Sequence, residues 1–160
     1  MSRLPVSSEL NKIAKAITRS AGRGILVGGA VRDHFMDRII SKDLDVEVFG
    51  LSMEELESVL KQFGSIHAVG KSFGVLKLKT TTAEYDFSLP RREQKTGKGH
   101  RGFKIVTDPA MSFKEAASRR DFTVNSMGYD LLENTLLDPF EGIDDIKHKN
   151  LRHLGPAFAE

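Results

Sequence analysis

Two neighbouring stretches decide the fold: Ile25-Leu26-Val27-Gly28-Gly29-Ala30-Val31-Arg32-Asp33 and Asp43-Leu44-Asp45-Val46-Glu47-Val48-Phe49. The first is a short apolar run closed by two glycines, which predicts a buried strand, and residues 30–38 behind it predict a helix with Val31 and Phe35 inward. The second alternates. Leu44, Val46 and Val48 fall on one side, and Asp43, Asp45 and Glu47 on the other, because strand side chains point alternately to opposite faces. A strand, a glycine turn, a helix and an acid-faced strand are the start of a sheet with helices packed on it.

Working outward, residues 8–21 carry Leu10, Ile13, Ala14 and Ile17 at helical spacing, with Gly22 and Gly24 just beyond. Ser52 and Glu55 form a capping-box pattern that predicts a helix to about residue 62. Residues 66–69, 73–79 and 84–89 predict strands. In the last of these Tyr85, Phe87 and Leu89 alternate with Asp86 and Ser88. Residues 91–102, RREQKTGKGHRG, hold five Lys or Arg and three Gly with no large apolar side chain, which predicts a mobile, basic surface loop. A second capping box, Ser112 and Glu115, predicts a helix running through Arg119, Arg120 and Asp121 toward Met127. Residues 129–132 and 135–137 predict a hairpin, and 143–148 a last short helix. Strands and helices alternate and then several strands follow one another, so the predicted class is mixed α/β (α+β) with flanking helices.

The first candidate constellation is Gly28, Gly29 and Arg32. A glycine turn opening a helix offers free backbone N–H groups to phosphate oxygens, and Arg32 adds a charge-assisted contact. A tight packing turn would use the same two glycines. No Gly-Lys-Ser/Thr follows and the third glycine of a dinucleotide fingerprint is absent, so neither of those phosphate loops is present. Asp43 and Asp45, two apart on one strand face, suit a hard divalent cation such as Mg²⁺; a solvated acidic edge would look alike. Asp86 joins them if its strand lies beside theirs, and is otherwise a surface strand residue. Asp121 and Asn125, four apart on a helix, offer an acceptor and an amide to a ribose or base, or simply to each other.

Composition bounds these options. The chain has 160 residues, 39% hydrophobic and 29% charged, which is enough apolar content for one buried core. It has no cysteine, so disulfides, thiolate metal sites and a cysteine nucleophile are excluded. The five histidines show no metal-ligand spacing and no Gly-x-Ser-x-Gly is present. Twenty-four basic residues against 22 acidic ones give a net charge of +2, so any nucleic-acid partner must be read from where charge lies. With no long apolar run, no membrane partner is expected, and the expected location is the cytoplasm.

Four ordered blocks, LVGGAVRD (26–33), KDLDVEVFG (42–50), RRDFTVNSMGYD (119–130) and LDPFEGIDDIKHKNLRHLGPAFAE (137–160), resemble the catalytic head domain of bacterial class II tRNA nucleotidyltransferases, the CCA-adding enzymes, and their poly(A) polymerase relatives. The resemblance covers roughly residues 23–160. It implies a polymerase-beta-like nucleotidyltransferase head with a small mixed sheet. It further implies an N-terminal helix in 1–22, a catalytic core in 23–137, and a segment 138–160 leading to a neck. Asp43 and Asp45 match the paired metal-binding aspartates of a two-Mg²⁺ site, with Asp86 a candidate third acid. Gly28, Gly29 and Arg32 match the triphosphate motif, and Arg120, Asp121 and Asn125 the motif that contacts the incoming nucleotide. Asp138, Pro139, Gly142 and Asp145 match a hinge segment. Arg91, Arg92, Lys95 and Lys98 fall in what resembles the family's flexible loop.

The implied activity is metal-dependent, template-independent transfer of CMP or AMP from CTP or ATP to a tRNA 3′ end, with pyrophosphate released. The alternatives are a poly(A) polymerase head, a nucleotide- or RNA-binding module without activity, and a transferase acting on proteins or small molecules. The family's selectivity motif begins Glu-Asp, and Glu160 matches only its first letter. A head-domain fragment, weakly active or inactive alone, is therefore the expectation, and the choice between CTP and ATP is expected to be made beyond residue 160.

Overall fold

A computed structural model describes residues 4–39, 44–67, 70, 73–95 and 103–154, so Asp43 and Lys98 lie outside the described residues. Helix α1 (Ser8–Arg19) starts where the Ser7 hydroxyl accepts the Leu10 N–H at 3.1 Å. Its apolar stripe, Leu10, Ile13 and Ile17, is wholly buried. Strand β1 (Arg23–Val27) turns at Gly28 into α2 (Gly29–Phe35), and β2 (Leu44–Phe49) carries the acids. Helix α3 (Met53–Leu60) opens on a complete capping box, with Ser52 and Glu55 each accepting the other's backbone N–H. Strands β3 (Ser65–His67), β4 (Val75–Lys79), β5 (Glu84–Ser88), β6 (Arg91–Lys95) and β7 (Phe103–Thr107) follow, then α4 (Phe113–Ala117), a 3₁₀ turn at Thr123–Asn125, β8 (Gly128–Asp130), β9 (Thr135–Leu137) and α5 (Gly142–Lys147).

The main sheet has seven strands in the order β3-β4-β5-β2-β1-β8-β9. Only β2 and β5 run parallel; every other neighbouring pair is antiparallel. Val46, Val48, Leu76, Leu78, Phe87 and Leu26 belong to one large cluster with side chains of α1 and α3. On the other face Ile25, Val27 and Phe49 form a smaller cluster with Met111 and Ala116. That smaller cluster covers only part of its face, and the acids of β2 and β5 occupy the rest. At roughly 25 cal/mol per Å² of buried apolar surface, the large cluster contributes most of the hydrophobic stabilisation.

Two segments differ from expectation. Residues 91–95 are not a loop: β6 pairs with β7 over five positions, from Arg91 opposite Thr107 to Lys95 opposite Phe103. A two-stranded ribbon needs no apolar face when water can solvate its charged side chains, so composition alone misses it. The helix predicted from Ser112 toward Met127 stops at Ala117. Its continuation is overridden by pairing with the C-terminal segment: Thr123 donates its N–H to the Arg152 carbonyl, Leu154 donates to the Asp121 carbonyl, and Phe122 bridges His153. Among the described residues no helix is long and apolar enough to cross a membrane.

Candidate nucleotidyl-transfer site

The acid face is built by strand register. Asp45 lies opposite Val27 of β1 on one side and Asp86 of β5 on the other. Directly paired residues share a face, so Asp86 does join Asp45, with strands about 4.8 Å apart. Asp45 is exposed, and its Oδ2 lies 3.4 Å from where a Cβ on Gly28 would stand. Asp86 is half-buried and has the Lys77 ammonium of β4 3.6 Å away, a cation that relieves part of the repulsion between the two acids. Among the described residues no group of three metal-ligating side chains is assembled. Asp45 and Asp86 still present hard carboxylate oxygens on one face, a donor set that fits Mg²⁺ together with water and phosphate.

Gly28 takes φ 77° and ψ −148°, a backbone conformation that side chains strongly disfavour, so glycine is required there by the backbone geometry. Arg32, in α2, folds back over the diglycine, with one Nη 3.2 Å from the Cβ position of Gly29. Its Nε donates to Asp33 at 3.0 Å and its other Nη to the Asn125 side-chain oxygen at 2.9 Å. Asn125 donates in turn to Asp121 at 3.2 Å. Asp121 and Asn125 thus bond to each other, the alternative left open by the sequence, across a 3₁₀ turn rather than along an α-helix, and the pair is joined to the diglycine motif through Arg32. A cleft of about 520 Å³ opens beside Arg32, Phe122, Val124 and Asn125, within the usual range for small-molecule sites.

Arg120 goes elsewhere. It lines a second, smaller cavity of about 250 Å³ with Glu47, Ser88, Arg91, Ala116 and Arg119. Glu47, noted in the sequence only as a third acid on the strand face, is pressed beneath this basic group. Burial raises its pKa, and the fields of Arg120 and Arg91 oppose that rise. Its position was readable only from β2 register together with the placement of α4. Arg92 turns away to Asp108, to which its Nε donates at 2.9 Å, and stands 3.6 Å from Glu115. Lys95 is on β6.

The last predicted group is a brace. The Asp138 carboxylate accepts the N–H groups of Gly142 and Ile143 at 2.7 and 3.0 Å, which starts α5. Asp145 is buried, accepts from the Thr123 hydroxyl, and receives Arg152 Nε at 2.8 Å. Burial pushes its pKa up, but the hydrogen bonds from Thr123 and Arg152 outweigh that and hold it below the ordinary value. A Cβ on Gly142 would stand 2.5 Å from the Thr123 carbonyl oxygen, so α5 presses directly on the turn that carries Asn125.

Known proteins are similar to this chain in sequence and in fold. The "Multifunctional CCA protein" of Stenotrophomonas maltophilia (strain R551-3) is 42% identical over 135 residues, covering 84% of this chain and 31% of that protein. Its namesake in Xylella fastidiosa (strain 9a5c) is 40% identical over 138 residues, 86% of this chain and 31% of the relative. The chain therefore spans about a third of the length of these curated relatives. The crystal structure of the Bacillus stearothermophilus CCA-adding enzyme in complex with CTP superposes with a TM-score of 0.73 at 27% identity, over 93% of this chain and 33% of that one. A tRNA nucleotidyltransferase complexed with a primer tRNA and an incoming ATP analog gives 0.70 at 29%, over 91% and 39%. The poly A polymerase head domain family matches residues 25–152, a span that holds the diglycine turn, the acid strand and the Arg32–Asn125 link. The chain belongs to the poly A polymerase head domain family.

Proposed function

We propose that this chain carries the transfer chemistry of an RNA nucleotidyltransferase, adding CMP or AMP from CTP or ATP to a tRNA 3′ end. The observation that supports this most is that Asp45 Oδ2 lies 3.4 Å from where a Cβ on Gly28 would stand, with Asp86 in lateral register. A carboxylate that can hold a cation there lies against a turn that admits phosphate. Relatives named for CCA addition, and neighbours solved with CTP or with primer tRNA and an ATP analog, point the same way.

In the transfer, the acceptor's 3′-oxygen forms a bond to the α-phosphorus while the α–β bridging bond breaks. Pyrophosphate leaves, and the hydroxyl proton passes to solvent. Asp45, with Asp43 and Asp86, would hold Mg²⁺, which supplies charge neutralisation at the phosphates. Gly28 and Gly29 leave the backbone bare for the departing phosphates. Arg32, fixed by Asp33 and Asn125, places its guanidinium above them and needs little reorganisation as charge develops. Asn125, to which Asp121 is hydrogen-bonded, lines the cleft where a ribose and base would fit. Residues 23–137 form the catalytic core in this scheme.

The test is to titrate CTP and ATP calorimetrically with and without Mg²⁺, and to follow labelled-nucleotide incorporation into tRNA lacking its 3′ end. Mg²⁺-dependent binding with incorporation supports transfer. Binding without incorporation would make the chain a nucleotide-binding module instead.

A further inference from the structure

The register of the main sheet draws a row of titratable side chains outward from the candidate metal site. Asp45 of β2 pairs with Asp86 of β5, Asp86 with Lys77 of β4, and Lys77 with His67 of the edge strand β3. Residues paired directly across neighbouring strands share a face, so all of them stand on the acid face. The other lysine of β4, Lys79, pairs with Glu84 instead. Leu76 and Leu78 alternate with these lysines and are wholly buried on the opposite face. A slip of one residue would expose both leucines, so register fixes Lys77, and not Lys79, against Asp86. The Lys77 Nζ lies 3.6 Å from Asp86 Oδ1, and the two side chains are 49% and 38% exposed.

Like charges directly opposite one another on a sheet repel, and Lys77 offsets that repulsion from the flank of Asp86 that Asp45 does not fill. An ion pair this open to water is weak. It can hold a carboxylate in place and still yield to a divalent cation that arrives with phosphate oxygens as further ligands. We propose that Lys77 is a positioning residue for the cation of the acid face. Its ammonium stands beside Asp86 in place of part of the metal's charge, and so keeps the bare acids from gripping a divalent ion before nucleotide arrives. Lys77 acts through Asp86 and touches neither nucleotide nor acceptor. This role rests on the metal reading of Asp45 and Asp86 proposed above.

The test measures Mn²⁺ binding to the 160-residue chain without nucleotide, from the electron paramagnetic resonance of the free ion. The variants are Lys77→Met, Lys77→Gln, Lys77→Arg, Lys79→Met, Asp45→Asn, Asp86→Asn, and Asp86→Asn combined with Lys77→Met. Thermal unfolding checks that each one folds. Lys77→Met and Lys77→Gln are expected to tighten Mn²⁺ binding roughly threefold to tenfold, the screened effect of removing one unit charge near a divalent cation. Lys77→Arg keeps the charge and stays close to the unsubstituted chain. Lys79→Met does the same, because its lysine faces Glu84. With Asp86→Asn already present, Lys77→Met gains nothing further, since the two side chains act as a unit. Affinity unchanged or weakened in both neutral variants overturns the role of Lys77. Equal tightening in Lys79→Met overturns it too, by reducing it to net charge, and so does a gain that persists without Asp86. Each of these results leaves the metal site standing when Asp45→Asn weakens Mn²⁺ binding. If Asp45→Asn binds Mn²⁺ undiminished, or if neither the unsubstituted chain nor Lys77→Met binds it, the metal reading and the role of Lys77 fall together.

Discussion

Arg32 and Asn125 are 93 positions apart in sequence, and the guanidinium of the first donates to the side-chain oxygen of the second at 2.9 Å. The bond ties the helix behind the diglycine turn to the 3₁₀ turn after α4, and so joins two motifs that the sequence shows as separate blocks. Groups sharing one hydrogen bond act as a unit. In a double-mutant cycle on CTP affinity, Arg32→Lys and Asn125→Ala should each weaken binding, with an interaction of about 0.5–3 kcal/mol between them. Lysine keeps the charge but loses the planar fork, so it should not rescue. Strictly additive losses would mean the bond has no part in holding the nucleotide.

Gly28 is expected to tolerate no side chain. At φ 77° and ψ −148°, Gly28→Ala is strained by about 1–3 kcal/mol. The added Cβ would stand 3.4 Å from Asp45 Oδ2, an ordinary contact distance, so the cost is backbone strain. Urea unfolding should report the loss of stability, and calorimetry a larger fall in triphosphate affinity than stability alone explains. An Ala variant that binds CTP normally would remove the turn from the phosphate site.

Asp145 sets a pH dependence. Burial raises its pKa, yet hydrogen bonds from Thr123 and Arg152 hold it below its ordinary value. A depressed folded-state pKa adds stability that is present above the unfolded pKa of about 4 and lost as pH falls through the folded one. Asp145→Asn should therefore be less stable near neutral pH by roughly 1.5–3 kcal/mol, the worth of hydrogen bonds to a charged group. The gap should narrow as the pH drops below about 4. A constant gap across that range would deny the carboxylate its ionised role.

The Glu9 carboxylate marks where stability and activity part. It accepts from Thr80 Oγ1 and Tyr85 Oη, each at 2.8 Å, and from Thr82 Oγ1 at 3.1 Å, which ties α1 to the β4–β5 turn. Burial raises its pKa, but these three hydrogen bonds prevail and lower it. Glu9→Ala should cost about 1–3 kcal/mol in thermal or urea unfolding. Nucleotide affinity below the unfolding transition should not change, because Tyr85 points to the opposite face of the sheet from Asp45 and Asp86. Lost CTP binding in a folded variant would contradict this.

Local signals in the sequence were dependable where the determining residues are close together. Ser52 and Glu55 form the capping box their spacing predicts, and Leu44 to Phe49 alternates as a strand facing acid outward. The Asp45–Asp86 register needed one further fact, that β5 lies parallel beside β2, which no short window contains. The Ser112 helix failed for a physical reason. Its cap forms, since Ser112 Oγ accepts the Glu115 N–H at 3.1 Å, but residues 121–123 hydrogen-bond to 152–154 instead of continuing the helix. Arg120 therefore leaves the company of Asp121 and Asn125 and lines the cavity over Glu47. The ribbon β6–β7 was hidden because Arg91 to Lys95 has no apolar alternation to reveal it.

The most direct test is labelled CMP incorporation from CTP into tRNA lacking its 3′ end, run with Mg²⁺ on the unsubstituted chain and on Asp45→Asn. In the proposed transfer this carboxylate would hold the cation that the phosphates meet. The substitution should therefore reduce incorporation by at least about a hundredfold, in the range for losing one key electrostatic group, while leaving the unfolding temperature near its starting value. Incorporation undiminished in Asp45→Asn would contradict transfer at this acid face.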